Sequence, residues 1–508
     1  MVRRWRRSEV SEPLPIYSRV KRWVPLLEWL PKYNWKLDFT YDLVAGLTYS
    51  TVVIPQSMAY AMLAKLPPVY GLYSSIMPIF LYSVFGTSRH LVGGTFALIS
   101  MMLGEAVTSI VRTRVDSNME EYEEEFLRTT LRVTFLVGVI QILFSFMNIG
   151  KYITKYLLPD PLVSGFTNAA AIYIVTSQFQ NLFGIQVPEY NGVFSLVKTW
   201  GYVISRIQHV DMATFLLGSI SIVSILFLRA LESKVREWLN RFQNNQEIDD
   251  ETRPFLEVPV TSQVSNTKNT LNENGSTGIK LPLPDILLVI IFYTTVTWLF
   301  RLDQKFNISV IGYIPSGFPS PTNPVHFQDI PDILIHLKES FLLAIIAYVM
   351  TISIGKNFAK KDGYQVDGNQ EMFALGISTA ISSFFSSYVS CGSLTRTSVI
   401  HTSGGKSQIS AFIGTLVVCG ILLSLTSLFY YLPKAVLAGV ILMACKSLFL
   451  QLSEVTAYWK HNRTQFFIWL ITFIAAITVK AEFGIAVGMV VSIIGLILET
   501  LYKSQTPL

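Results

Sequence analysis

The sequence predicts an all-α polytopic membrane protein, and three observations carry the prediction. Hydrophobic residues make up 51% of the 508 residues, and charged residues only 15%. Mean hydropathy is +0.44. Apolar runs long enough to cross a bilayer as helices, about twenty residues each, recur along the whole chain. A soluble domain carries about 25% charged residues, so this chain lacks the polar surface to coat soluble globules. That excludes a soluble enzyme, a disulfide-framed secreted protein and a disordered chain. The net charge of +6 does not imply nucleic acid, because Lys and Arg beside membrane spans report orientation.

The N-terminus opens Met1-Val2-Arg3-Arg4-Trp5-Arg6-Arg7 with no apolar run close behind it, which a cleaved signal peptide would need. Residues 1–40 therefore read as a basic cytoplasmic arm. Trp23, Leu26, Leu27, Trp29 and Leu30 suit either a helix on the inner leaflet or an arm packed on the membrane domain. Candidate spans follow near 43–63, 70–86, 129–147, 157–183, 212–230, 283–300, 340–358, 409–430, 433–450, 465–479 and 482–502. Shorter apolar pieces near 95–108, 372–389 and 394–400 bring the total to about fourteen. In that count segments 1–6 occupy 41–230, segment 7 occupies 281–305 and segments 8–14 occupy 306–502. The polar stretch 231–280, rich in Asn, Glu, Ser and Thr, reads as a flexible cytoplasmic linker.

Arg89, Lys151, Lys155, Lys356, Lys360, Lys361, Lys406, Lys460 and Arg463 fall in loops that an N-inside alternation makes cytoplasmic. The loop from Arg112 to Glu125 would then be external, and its acidic run Glu120, Glu121, Glu123, Glu124, Glu125 reads as a solvated charged loop. Of three sequons, at Asn274, Asn307 and Asn462, this topology leaves Asn307 as the glycosylation site. Cys391, Cys419 and Cys445 sit in apolar segments without metal spacing and read as buried small residues.

Irregular backbone inside a membrane is tolerated only where protein or water covers it, and paired interruptions in two halves of a chain point to a transport site. Gly94-Thr95-Phe96 and Gly392-Ser393-Leu394 share one pattern: glycine, small hydroxyl, apolar. Each would begin a half-helix whose free N–H groups carry roughly half a positive charge. Arg396 follows within an apolar and hydroxyl-bearing stretch. An intramembrane Arg costs at least about 2.5 kcal/mol at a helix centre, so it marks a site unless it snorkels or pairs with a carboxylate. Met350, Thr351 and Ser353 stand where a proton-coupled carrier would want a carboxylate, so sulfate flux is expected to ignore a proton gradient. No hydrolase, nucleotide-binding or metal motif appears, and His90, His336 and His401 near segment ends read as surface residues. No enzymatic activity and no cofactor is expected.

At this point the residues resemble the sulfate permease (SulP) family of anion transporters, which includes pendrin and prestin. The resemblance rests on four stretches: Ile54-Pro55-Gln56-Ser57-Met58-Ala59-Tyr60-Ala61 with Pro67 to Ser75; Phe85-Gly86-Thr87-Ser88-Arg89-His90 running on to Gly94-Thr95-Phe96-Ala97; Gly363 to Glu371; and Ser393-Leu394-Thr395-Arg396-Thr397 with Gly404-Gly405-Lys406. It implies fourteen segments in two inverted repeats of seven, with a core domain (1–4, 8–11) moving against a gate domain (5–7, 12–14). It implies an anion held between the facing ends of segments 3 and 10 and lined by Gln56, Tyr60, Phe96, Leu394 and Thr395, with Arg396 supplying positive potential. Tyr60 and Thr395 replace the Phe and Ser of many animal relatives. Met350 replaces the Glu of plant-like proton–sulfate symporters, which argues for exchange or uncoupled conduction. Relatives continue into a cytoplasmic STAS domain, and residues 503–508 read as the start of the linker to it.

The function so implied is a secondary-active exchanger of chloride and bicarbonate, with sulfate or oxalate as further substrates. It would be a homodimer in the plasma membrane with a cytoplasmic N-terminus and no nucleic-acid partner. An uncoupled chloride channel and a prestin-like voltage-driven motor are the alternatives on the same scaffold.

Overall fold

The computed structural model describes residues 23–112, 119–150, 159–188, 190, 192–251, 284–325, 333–450, 452–479 and 481–505. Lys151, Lys155 and Asn274 lie outside them. The first helices of six residues or more are α1 (Asp38–Leu63), α2 (Pro68–Tyr73), α3 (Met77–Phe85), α4 (Ala97–Val111), α5 (Met119–Phe146) and α6 (Asp160–Ser177). There follow α7 (Ser195–Ser205), α8 (Met212–Glu251), α9 (Asp285–Phe300), α10 (Ile333–Lys361) and α11 (Gly368–Ser383). The remainder are α12 (Leu394–Thr402), α13 (Ile409–Ser424), α14 (Lys434–Leu450), α15 (Ser453–His461), α16 (Arg463–Thr478) and α17 (Ala481–Gln505). Among the described residues, four helical stretches are long and apolar enough to cross a membrane by themselves, Pro68–Phe85, Glu120–Phe146, Met212–Val235 and Ile335–Lys361, and shorter apolar helices accompany them.

Two short strands interrupt the helical pattern. β1 (Gly93–Gly94) pairs antiparallel with β2 (Cys391–Gly392), Gly93 opposite Gly392 and Gly94 opposite Cys391. Each strand leads directly into a helix, α4 and α12. Because the strands run antiparallel, the two helices leave in opposite directions with their N-termini together. Thr351 on α10 accepts the Gly392 N–H at 2.8 Å, and Thr397 accepts the Val92 N–H at 3.2 Å. These hydroxyls satisfy backbone donors that lipid could not.

Small residues let the helices approach. A Cβ on Gly138 of α5 would lie 2.4 Å from the Ala380 nitrogen of α11, so that crossing tolerates only glycine. Helix α5 packs on α10 and α11, α13 along α1 and against α3, and α12 on α1. In a second group α6 packs on α14, α16 and α17, while α8 packs on α14 and α9.

Several expectations change. The acidic run is not a loop: Glu120 to Glu125 lie in the first turns of α5, where carboxylates favour the helix N-terminus. Glu124 pairs with Arg128 at 2.6 Å and Glu125 with Arg132 at 3.0 Å. Residues 233–251, expected within the linker, continue α8. His90 and His336 are buried rather than at the surface; for His90, contacts with the Tyr364 hydroxyl and the Gly405 carbonyl replace the hydration its imidazole loses. Cys419 is only half-buried, unlike Cys391 and Cys445. Trp23 packs on Phe146 and Phe373, and its carbonyl accepts from Gln370 Nε2, so this part of the arm docks on the helical bundle.

Candidate anion-binding site

Pro55 inside α1 removes one intrahelical N–H, so the Thr51 carbonyl four residues earlier loses its partner. Around that irregular turn α1 carries polar side chains into the bundle: Thr48, Ser50, Gln56 and Ser57 are buried. Gln56 Oε1 has no hydrogen-bond partner within the protein. Helix α12 begins at Leu394, and its first intrahelical bond is Thr397 N–H to Ser393 O. The N–H groups of Leu394, Thr395 and Arg396 are therefore free of intrahelical acceptors. Helix α4 repeats the arrangement, starting at Ala97 with Ser100 N–H donating to Phe96 O.

Arg396 lies at the junction of these two ends and is fully buried. Its Nη2 donates to Thr95 Oγ1 at 2.6 Å, and its guanidinium stands 5.7 Å from the centre of the Tyr60 ring. Its Nε and Nη1 have no hydrogen-bond partner within the protein. Both contacts named are to neutral groups, so the cation is desolvated without a counter-charge in either. Gly94 makes room for it: at φ +140°, a Cβ there would meet Arg396 Nη1 at 2.9 Å.

The expected lining residues divide. Gln56, Leu394 and Thr395 line a cavity of about 560 Å³. Tyr60, Phe96 and Arg396 are buried and do not line it. Thr395 Oγ1 lies 3.3 Å from Ser393 Oγ. Arg229, Glu232, Asp285, Lys361 and Lys446 also line this cavity, and Arg229 Nε donates to Asp285 Oδ2 at 2.5 Å. Sequence reasoning missed these groups because each stands near the end of an apolar run, where charge is ordinarily solvated.

A second cavity of about 440 Å³ lies toward the other end of α1 and is lined by Met62, Lys65, Glu105, Arg112, Gln178 and Tyr190, among others. Gln56 lines one cavity and Met62 the other. At 1.5 Å per residue, only about 9 Å of helix separates them, and Tyr60 lies within that interval.

Two buried carboxylates hold the surrounding loops. Glu371 Oε1 accepts from Thr87 N–H at 2.7 Å, Thr87 Oγ1 at 2.6 Å and Ser88 N–H at 3.2 Å, while Oε2 accepts from the Tyr82 hydroxyl at 2.5 Å. Asp42 accepts from the Lys406 and Ser407 N–H groups, Ser407 Oγ and the Tyr33 hydroxyl. The Tyr33 phenol, outside the spans, is pushed well above its ordinary pKa by burial and by the Asp42 carboxylate. Met350 is buried, with the Thr167 hydroxyl 4.0 Å from its sulfur.

The chain is 33% identical to human solute carrier family 26 member 6 over 491 residues, covering 95% of this chain and 58% of that protein. It is 31% identical to mouse solute carrier family 26 member 10 over 504 residues, covering 98% of this chain and 68% of that protein. The chain therefore spans about three-fifths to two-thirds of the length of these relatives. Its fold matches the murine Solute Carrier 26 family member A9 anion transporter, in the inward-facing state, with a TM-score of 0.81 at 29% identity, covering 97% of this chain and 74% of that one. The sequence profile of the sulfate permease family matches residues 39–472. The chain is an integral membrane protein and belongs to the sulfate permease family.

Proposed function

We propose that the chain is a secondary-active exchanger of chloride and bicarbonate, with sulfate and oxalate as further substrates. The carrying observation is Arg396, a fully buried cation with two unpartnered nitrogens where two helix N-termini meet. An anion bound there by Gln56, Tyr60, Phe96, Leu394, Thr395 and the free N–H groups at the helix ends entered through Gly94-Thr95 and Gly392-Ser393 would supply the missing counter-charge; the Ser393 N–H itself is taken by the Val92 carbonyl. The two cavities approach this point from opposite ends of α1. A rigid core of α1–α5 and α10–α13 moving against a gate of α6, α8, α9, α14, α16 and α17 would open them in turn. Similarity to an inward-facing anion transporter supports reading the larger cavity as the cytoplasmic one.

Radiolabelled chloride uptake into proteoliposomes tests the reading. Uptake that requires trapped chloride, bicarbonate or sulfate is expected. Uptake driven by voltage alone would make the chain a channel.

Thr395→Leu should raise the half-saturating anion concentration by about tenfold, the worth of one hydrogen bond to a charged group. Unchanged affinity in the same assay would remove Thr395 from the site. Asn307 is exposed and lies after α9. It should be the glycosylated sequon, and an unchanged glycosidase mobility shift in Asn307→Gln would reverse the proposed orientation.

A further inference from the structure

A second cluster of titratable groups lies beside the larger cavity. His90 is buried, 6% exposed, in the segment leading into β1. Its Nε2 lies 3.0 Å from the Gly405 carbonyl oxygen. A carbonyl only accepts, so Nε2 carries the hydrogen and Nδ1 is the atom that titrates. Nδ1 lies 3.3 Å from Asp362 Oδ2 and 3.3 Å from the Tyr364 hydroxyl. In the neutral ring Nδ1 accepts from Tyr364 and sets a lone pair against the carboxylate. A proton on Nδ1 converts that opposition into a charged hydrogen bond.

His401 completes the arrangement, its Nε2 3.0 Å from Asp362 Oδ1 and its ring 5.3 Å from that of His90, edge to face. Asp362 and His401 are about 30% exposed, which gives protons a route from water. The other charged groups nearby have partners of their own, although Arg89 also opposes a proton on His90. Arg89 stands over the Tyr364 ring and Lys361 over Phe358, which packs on His401. Lys406 stands over Tyr41, and Glu371 accepts from Thr87, Ser88 and Tyr82. Among the described residues no cluster has metal-ligand geometry. The ligand this trio suits is a proton.

We propose that His90, Asp362 and His401 form a proton-binding site that tunes anion affinity from the side of the larger cavity. The inference rests on the anion site proposed above. Burial pushes the His90 imidazole below its ordinary value, Asp362 and the Gly405 carbonyl partly offset this, and His401 and Arg89 add to it, so a second proton on the ring is favoured by acidification. His401 lies six residues after Thr395 on α12, about 9 Å along the axis. A proton gained by His90, whose ring packs against that of His401, strengthens anion binding through space. The cluster also ties the segment before β1 to α12, which carries Thr395 and Arg396. The proton is not carried across: its site lies at a helix end, away from the interval between the cavities.

Chloride affinity of the full chain in detergent, measured by radiolabel binding at pH 7.5 and 5.5, is the test. Acidification should tighten wild-type binding about two- to fivefold, as Coulomb's law gives at that distance in a partly screened medium. His90→Gln keeps an N–H for Gly405 but cannot titrate, and should bind equally at both pH values. Asp362→Asn should move the midpoint to lower pH, and it decides the matter if His90→Gln does not fold. Equal wild-type affinities, a retained pH response in His90→Gln or an unmoved midpoint in Asp362→Asn would overturn the proton site. Absence of chloride binding at both pH values would overturn the anion site itself.

Discussion

Arg396→Gln is expected to lower anion flux about ten- to a hundredfold, the range set by losing a charged hydrogen-bond partner worth about 1.5–3 kcal/mol. The same substitution should leave the protein folded. Thr95 and Tyr60, the partners of Arg396, are neutral, so removing the charge strands no buried carboxylate in either contact, and a desolvation cost disappears with it. The distinguishing signature is the response to anion. Wild-type unfolding temperature should rise with chloride, by about 2.7 kcal/mol of stabilisation at a hundred times the dissociation constant. That rise should be lost in Arg396→Gln. Wild-type flux together with an intact chloride response would remove Arg396 from the site.

Glu371→Ala should have the largest effect on stability, more than about 4 kcal/mol. It leaves the Tyr82 and Thr87 hydroxyls and the Thr87 and Ser88 N–H groups without the acceptor they share. Each unsatisfied buried donor costs about 1–3 kcal/mol, and a domain's whole margin is about 5–15 kcal/mol. Glu371→Gln keeps one acceptor oxygen and should lose about half as much. Thermal unfolding in detergent checks both, and a loss under about 1 kcal/mol in Glu371→Ala would contradict the hydrogen-bond geometry. The damage should reach the anion site, because Thr87 and Ser88 lie in the segment that leads into β1.

The contrast between these residues shows what the sequence could reveal. Gly94 and Gly392 stood out because a glycine and a small hydroxyl interrupt apolar runs, and the structure does end a strand and start a helix at each. Arg396 stood out as a charge among apolar neighbours. Glu371 did not, because its donors come from residues more than two hundred and eighty positions earlier, and local pattern carries no trace of such pairing. The same holds for Arg229, Lys361 and Lys446, which converge on one cavity from three helices. His90 was misread because exposure was inferred from its place near a segment end. The Glu120 to Glu125 run was misread because charge was taken to mean loop, although a carboxylate-rich start followed by Arg128 and Arg132 is also helix chemistry.

The charge of Arg396, unmatched in its contacts with Thr95 and Tyr60, has an electrical consequence. In the proposed exchange the core would carry Arg396 along with its cargo through the short interval between the cavities, where the transmembrane voltage falls most steeply. Each net charge crossing the full potential exchanges about 2.3 kcal/mol per 100 mV. A monovalent anion with Arg396 would travel as a neutral pair that the voltage neither helps nor opposes. A divalent anion would travel with one net negative charge. An empty core would travel as a bare cation through a low-dielectric layer, the least favourable passage of the three, and that asymmetry by itself ties outward movement of one anion to inward movement of another.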